Sequence, residues 1–97
     1  MKTGQTLYIR TDFKVEGKET TKEDFNDHIA YLEEIANKRL FMGGGYVNAP
    51  GGMIIYHAEN LEEAKIVAEG DPIISRGLFT YELKEWSLVL LSDDLKY

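Results

Sequence analysis

The chain contains no cysteine, two prolines and a single tryptophan. Without cysteine it has no disulfide framework, no thiol nucleophile and no cysteine zinc site, so stability must come from packing. No stretch approaches the ~20 consecutive apolar residues of a membrane span, and the start, MKTGQTLYIR, lacks the apolar run of a signal peptide. We therefore expect a cytoplasmic protein that does not enter a membrane.

Basic side chains are also in deficit, with 17 acidic residues against 11 basic ones and a net charge of -6. Such a surface repels a phosphate backbone, so we do not expect a nucleic acid as ligand. The length of 97 residues fits one domain, spanning 1–97. A domain this small buries a modest fraction of its surface, which favours stabilisation by a partner.

The first two elements are a strand and a helix. Residues 6–13, TLYIRTDF, alternate, with Leu7 and Ile9 on one face and Tyr8, Arg10 and Asp12 on the other. A capping box, Thr20-x-x-Glu23, then predicts a helix start. Lys38 and Arg39 suit its last turn, where the helix dipole favours cations. The apolar residues at helical spacing are Phe25, Ile29, Leu32, Ile35, Ala36 and Leu40.

The middle of the chain reads as a hairpin, LFMGGGYV and MIIYHA, with its turn at Asn48 to Gly52. The three glycines 43–45 indicate a bulge or a place where another group approaches the backbone closely. Asn60 then caps a second helix that Gly70 and Pro72 terminate.

The final strand changes phase. Phe79, Tyr81 and Leu83 share one face, whereas Trp86, Leu88 and Leu90 take the other, so we predict a β-bulge near Lys84 or Glu85.

This order, βαββαβ, predicts an α+β, ferredoxin-like fold in which two helices cover one face of an antiparallel sheet. Tyr8, part of MIIY and the doubly apolar run SLVLL would then occupy the uncovered face. An apolar sheet face of this kind usually marks a partner surface. We expect a homodimer in which two such faces meet.

His28 is the first candidate for chemistry, because it flanks the apolar stripe of the first helix. Alone, its spacing favours a structural histidine satisfied by a backbone carbonyl, since one imidazole without partners specifies no reaction. Asp71, fixed between Gly70 and Pro72, could orient the imidazole for proton transfer, or could simply cap a turn, as aspartate before proline often does. With His57, the two residues could also form a two-histidine, one-carboxylate metal site, although no spacing requires it.

DHIAYL at 27–32, together with EEAKIVAEGDPIISRGLFTYELKEW at 62–86, resembles the YCII-related domain family. The shared features are a histidine followed by Tyr-Leu, a Glu-Ala helix, Asp-Pro, a loop with Gly-Leu and a strand closed by tryptophan. The resemblance implies a dimeric α/β barrel in which a histidine and an aspartate form a catalytic pair in a pocket. Those residues correspond to His28 and Asp71.

Five further residues are candidates for binding a substrate: Arg10, Tyr8, Tyr31, Tyr56 and Ser75. Arg10 ranks highest for an anion, since guanidinium groups bind carboxylates well. Tyr31 lies one helical turn from His28, and Ser75 lies in the loop after Asp71.

These observations support two functional hypotheses. The first is a cofactor-independent lyase, isomerase or dehydrohalogenase that acts on a small cyclic or aromatic acid through His28 and Asp71. The second is a non-catalytic module that binds a small metabolite or serves in a dimeric assembly. The sequence favours neither a specific substrate nor a specific reaction.

Overall fold

The computed structural model describes residues 1–95. Its strands are β1 (Thr6–Lys14), β2 (Phe41–Gly45), β3 (Gly52–Tyr56) and β4 (Phe79–Ser87). Its helices are α1 (Lys22–Ala36), α2 (Leu61–Glu69) and the single turn α3 (Pro72–Ser75), and a 3₁₀ turn spans Asp93–Leu95. No helix within residues 1–95 is both long and apolar enough to cross a membrane.

The four strands form one antiparallel sheet in the order β2-β3-β1-β4. This arrangement confirms the predicted α+β, ferredoxin-like fold, with the helices on one face of the sheet. The core between the two layers joins Tyr8, Ile54 and Tyr56 of the sheet to Ala64 and Val67 of α2. The short helix α3 is an addition to the predicted order, and it lies where the loop after Pro72 was expected.

Helix α1 begins one residue later than predicted. The capping box is formed by Thr21 and Asp24, not by Thr20 and Glu23: the Asp24 amide donates to Thr21 Oγ1, and the Thr21 amide donates to Asp24. Adjacent threonines and adjacent acids offer two overlapping boxes, and sequence alone does not choose between them. The helix ends at Ala36, so Arg39 lies beyond it and pairs with Glu63 of α2.

Strand β1 divides its side chains as predicted, but one expectation about the faces was wrong. Tyr8 does not lie on the uncovered face. It is buried on the helix side, where its ring packs against Tyr56 with 6.4 Å between centroids. Tyr8 shares the phase of Arg10, which reaches Asp71 beside the helices, so the alternation of the strand places both side chains on that side.

The predicted β-bulge near Lys84 or Glu85 was also wrong. Pairing of β4 with β1 is uninterrupted from Lys14 opposite Phe79 to Thr6 opposite Ser87. Trp86 simply points to the face away from the helices, and the exposed Glu85 takes the other face. The change of phase in the sequence therefore marks a change in which face is apolar, not an inserted residue.

The run SLVLL is not a strand beyond Ser87. Leu88 still exchanges backbone hydrogen bonds with the segment before β1, donating to Gln5 and accepting from Gly4, and its side chain is buried. Val89 and Leu90 are 72% and 87% exposed. The isolated chain therefore leaves the most apolar segment of its sequence largely uncovered.

Candidate active site

Four charged or ionisable side chains meet between the sheet and the helices. Arg10 and Asp12 project from β1, His28 from α1, and Asp71 lies at the start of α3. All four are buried, and Asp71 is fully inaccessible. Groups of this kind are seldom buried unless they are paired, and here each has a charged partner.

Asp71 is the centre of this cluster. Its carboxylate accepts from His28 Nδ1 at 2.8 and 2.9 Å, from Arg10 Nη2 at 2.9 Å and from the Ile73 amide at 3.1 Å. The last bond makes Asp71 the N-cap of α3, with Pro72 in the first turn. The sequence left open a capping role or a histidine-orienting role for this aspartate, and the fold gives it the geometry for both.

His28 is held by one ring nitrogen. Because Asp71 is an acceptor, Nδ1 carries the proton of that hydrogen bond, and in the neutral ring Nε2 then has a free lone pair. The ring lies 5.7 Å from that of Phe25, one turn earlier on α1, and it lines a cavity. This arrangement gives the imidazole a fixed orientation and a nitrogen available for proton transfer.

Arg10 connects the pair to a second carboxylate. Its Nε and Nη2 donate to the two oxygens of Asp12 at 2.7 and 3.0 Å, while Nη2 also donates to Asp71. Asp12 lines the cavity. The alternation of β1 placed Asp12 beside Arg10 on one strand face but gave Asp12 no role. The i, i+2 spacing of the arginine and the acid, which puts both on the same face, could have identified the pair.

The two carboxylates respond differently to burial. For Asp71, desolvation raises the pKa, but the hydrogen bond from His28 and the charge of Arg10 outweigh it and hold the pKa below its usual value. For Asp12, desolvation prevails over the attraction of Arg10, and the nearby Asp71 adds to it, so the pKa is raised. Asp71 is therefore the more firmly ionised of the two.

The cavity, of about 330 Å³, lies between α1, the end of β1 and the β2–β3 hairpin. Its polar lining is Asp12, Lys14, Thr20 and His28. Its apolar lining residues are Phe25, Ile29, Leu32, Met53, Ile54, Ile73 and Phe79. Apolar walls with a few convergent polar groups are typical of sites for small molecules.

Glycines of the hairpin form one wall of the cavity: Gly43, Gly44, Gly45, Gly51 and Gly52. The three glycines 43–45 were predicted to mark either a bulge or a place where another group approaches the backbone closely. Because β2 and β3 pair in regular register through them, there is no bulge, and close approach is the explanation that fits. A Cβ at Gly43 would lie 2.8 Å from Ile54 Cγ1, whereas one at Gly45 would meet nothing nearer than the Gly51 carbonyl at 3.8 Å. The space at Gly45 is therefore available to a ligand.

The five residues predicted to bind substrate are not among those that line this cavity. Arg10 is engaged by Asp12 and Asp71, and the Tyr8 ring is part of the core. The Tyr31 and Tyr56 hydroxyls donate to backbone carbonyls of α2, and the Ser75 hydroxyl is exposed and turns back to the Pro72 carbonyl. Strand phase and helical spacing did not give the position of the cavity.

The possible metal site with His57 does not form. Within residues 1–95, no three histidine or acidic side chains converge as metal ligands would. His57 lies just after β3, where its carbonyl accepts from Arg39.

Comparisons with known proteins agree with this fold. The family model of the YCII-related domain matches residues 6–87. An uncharacterised protein of Bacillus subtilis (strain 168), YjpA, is 35% identical over 68 residues, which are 69% of this chain and 80% of that protein.

Among solved structures, a similar chain is 5-chloro-2-hydroxyhydroquinone dehydrochlorinase (TftG) from Burkholderia phenoliruptrix AC1100, in complex with 2,5-dihydroxybenzoquinone. The TM-score is 0.70 at 25% identity, and the likeness covers 84% of this chain and 93% of that one. Since the family model spans most of the sequence and includes both His28 and Asp71, the chain belongs to the YCII-related domain family.

Proposed function

We propose that this protein is a cofactor-independent enzyme of the lyase, isomerase or dehydrohalogenase type, acting on a small cyclic or aromatic acid. The observation that carries the proposal is the orientation of His28. Its Nδ1 lies 2.8 Å from the buried carboxylate of Asp71, and its ring faces a cavity. Histidine–carboxylate pairs of this geometry serve as general bases in many unrelated enzymes.

In the proposed reaction, Nε2 of His28 accepts a proton from a C–H or O–H group of the substrate. The electron pair left behind forms a new double bond, and a leaving group such as chloride departs with its own pair, so the substrate loses HCl in total. In an isomerisation, the same proton returns to another atom. Asp71 stays ionised, since its pKa is lowered, and stabilises the imidazolium that forms.

The size and lining of the cavity support a ring as substrate. A dry engineered cavity of ~150 Å³ accommodates benzene, and the cavity here is about 330 Å³, which leaves room for ring substituents. Its apolar walls and glycine surface suit a flat molecule. The similar dehydrochlorinase was solved with a quinone, which is also a six-membered ring.

The test compares His28→Gln with a matched variant, His57→Gln, on a panel of halogenated hydroquinones and small cyclic or aromatic acids. Chloride release and solvent-proton exchange are measured. Because general-base catalysis contributes roughly 10²- to 10⁴-fold, His28→Gln should lose at least ~100-fold activity while His57→Gln retains it. Equal activity in both variants would contradict the proposal.

One observation favours the non-catalytic alternative. Asp71 also caps α3 and pairs with Arg10, so the cluster has a structural use whether or not a reaction occurs. A binding module would show ligand-dependent thermal stabilisation without turnover. His28→Gln would then change neither chloride release nor solvent-proton exchange.

The proposal includes a homodimer through the face of the sheet opposite the helices. Apolar side chains remain exposed there on neighbouring strands, with Met42, Met53 and Trp86 each about two-fifths accessible. A second copy of the same face would cover them. Sedimentation velocity at micromolar concentration tests the dimer, and a monomer at all concentrations would contradict it.

A further inference from the structure

The end of the cavity where β1 leads into α1 carries polar groups that the reaction proposed above does not use. Lys14 is the last residue of β1, and Thr20 precedes the N-cap of α1. Both line the cavity. The segment between them brings the two side chains to the same end, whereas His28 lies farther along α1.

Thr20 has a hydroxyl without a partner. Its Oγ1 is buried and makes no hydrogen bond with any residue in the 1–95 range. The capping role belongs to Thr21, so the Thr20 side chain is not needed there. A buried hydroxyl that lacks a partner is unfavourable, and rotation of the Thr20 side chain toward an acceptor in the cavity would relieve it.

Lys14 supplies positive charge at the same end. Apart from the imidazole of His28, it is the one cationic side chain that lines the cavity in the described part of the chain. Its ammonium donates to the Lys18 carbonyl, and no carboxylate within residues 1–95 forms an ion pair with it. The charge of Asp12, two residues earlier on β1, is taken up by Arg10. Lys14 can therefore bind an external anion.

We propose that Lys14 and Thr20 form a subsite for the carboxylate of the substrate, which places the reacting atoms near His28. This inference rests on the proposed function and narrows its substrate to a ring with a carboxylate at one end. His28 lies six residues beyond Lys22, the first residue of α1, a rise of ~9 Å, and Thr20 and His28 both line the cavity between. One ring with a carboxylate can bridge that space.

Local positive charge is needed for such a substrate because the protein as a whole carries a net charge of -6. An anionic ligand is repelled at long range, and an exposed lysine that lines the cavity supplies attraction at short range. Thr20 adds direction, since its hydroxyl can donate to one carboxylate oxygen while the ammonium contacts the other.

The test measures binding of benzoate and of benzamide, its neutral analogue, by calorimetry. The wild type should bind benzoate more tightly. Lys14→Met should weaken benzoate about 10- to 100-fold, the range for a hydrogen bond to a charged group, and leave benzamide nearly unchanged. Lys18→Met removes the same charge from the exposed neighbouring turn, keeps the carbonyl that Lys14 contacts, and should leave both affinities unaltered.

Thr20→Val is the second variant. It removes the hydroxyl and keeps the shape, so the free protein should be at least as stable as the wild type, while benzoate binds more weakly. If Lys14→Met weakens benzoate and benzamide equally, or if neither variant affects benzoate, the subsite is wrong. Loss of turnover in His28→Gln with benzoate binding retained would support the catalytic proposal separately, so the two ideas can fail independently.

Discussion

The two faces of the sheet differ in where charged side chains are buried and where apolar ones are exposed. The covered face of β1 carries the buried ions Arg10 and Asp12, whereas its other face carries apolar side chains, including the half-exposed Phe13. Charge is thus buried where the helices pack, and apolar surface is left where they do not. The difference supports the proposals of a site on the helix side and of a partner on the other side.

The two faces are therefore stabilised by different interactions. The ions on the helix side are tolerated because Arg10 lies between two carboxylates and His28 completes the cluster. The uncovered face depends on apolar contact alone, and in one chain much of that contact is missing. Substitutions that affect one face and not the other test this distinction.

The largest effect is expected from Arg10→Met. It leaves Asp12 and Asp71 buried near each other without their shared cation, and removal of one partner from a buried ion cluster destabilises proteins by roughly 3–5 kcal/mol. Urea unfolding measures the free energy of unfolding. The matched control is Arg76→Met, which breaks ion pairs to Asp24 and Asp27 on the surface and should change stability far less. Equal losses of unfolding free energy in the two variants would contradict a larger contribution of the buried cluster than of surface ion pairs.

Ile55→Lys is the corresponding change on the uncovered face. Ile55 lies in β3 opposite Met42 and Ile9, at the middle of the sheet. A lysine there should raise the dimer dissociation constant at least ~10-fold, because its charge would be buried unpaired in the interface. Ile66→Lys makes the same change on an exposed position of α2 and should leave the dimer intact. Sedimentation equilibrium compares them, and dissociation of both or of neither would argue against this interface.

The two carboxylates of the covered face should give opposite pH dependences. The pKa of Asp71 is below its usual 3.8, so its stabilising contribution is complete above pH 3.8 and is lost as the pH falls below that value. The pKa of Asp12 is above 3.8, so its native state binds the proton more tightly than the unfolded state. The stability associated with Asp12 is then present at low pH and decreases as the pH rises above 3.8.

Unfolding of Asp71→Asn and Asp12→Asn from pH 3 to pH 7, at intervals of about half a unit, measures these contributions. The stability deficit of Asp71→Asn should shrink as the pH falls below 3.8. Asp12→Asn should compare more favourably with the wild type as the pH rises above 3.8. Parallel pH profiles for the two variants would show that burial and ion pairing affect both carboxylates alike.

The smallest effect on stability is expected at the glycine wall. Neither Gly44 nor Gly45 has a positive φ, so alanine should be tolerated at both and change stability by less than ~1 kcal/mol. Gly45 pairs with Gly52, opposite Asp12 on the covered face, while Gly44 pairs with Met53 on the other face. Gly45→Ala should therefore weaken benzoate binding, and Gly44→Ala should not. Equal affinity in both variants would place the ligand away from this wall.

Several features of this molecule could be predicted from short patterns. The alternation in β1, the Asn60 cap and the stop at Gly70 gave the element order, and that order has few antiparallel solutions. The proximity of His28 and Asp71 was also anticipated, and the structure places them 2.8 Å apart. What failed was the choice between overlapping capping boxes, the bulge near Lys84 and the face assigned to Tyr8.

The site was predicted less completely than the fold. Asp12, Lys14 and Thr20 were not selected, because a single strand acid, a terminal lysine and a threonine before a helix are ordinary surface residues in a sequence. The tyrosines were selected because their hydroxyls could contact a ligand, yet Tyr31 and Tyr56 bind the backbone of α2. Which polar groups are already satisfied depends on contacts between distant segments.

The sequence by itself determined the periodicities, the caps and the absence of cysteine, and through them the α+β order of elements, because these depend on neighbours within a few residues. Only the tertiary structure decided that Arg10 would join two carboxylates, that Tyr8 would pack inside, and that a cavity would open beside His28. Pairing, burial and empty space are set by residues far apart in the chain, such as His28 and Asp71, whose approach requires the helices to pack on the completed sheet.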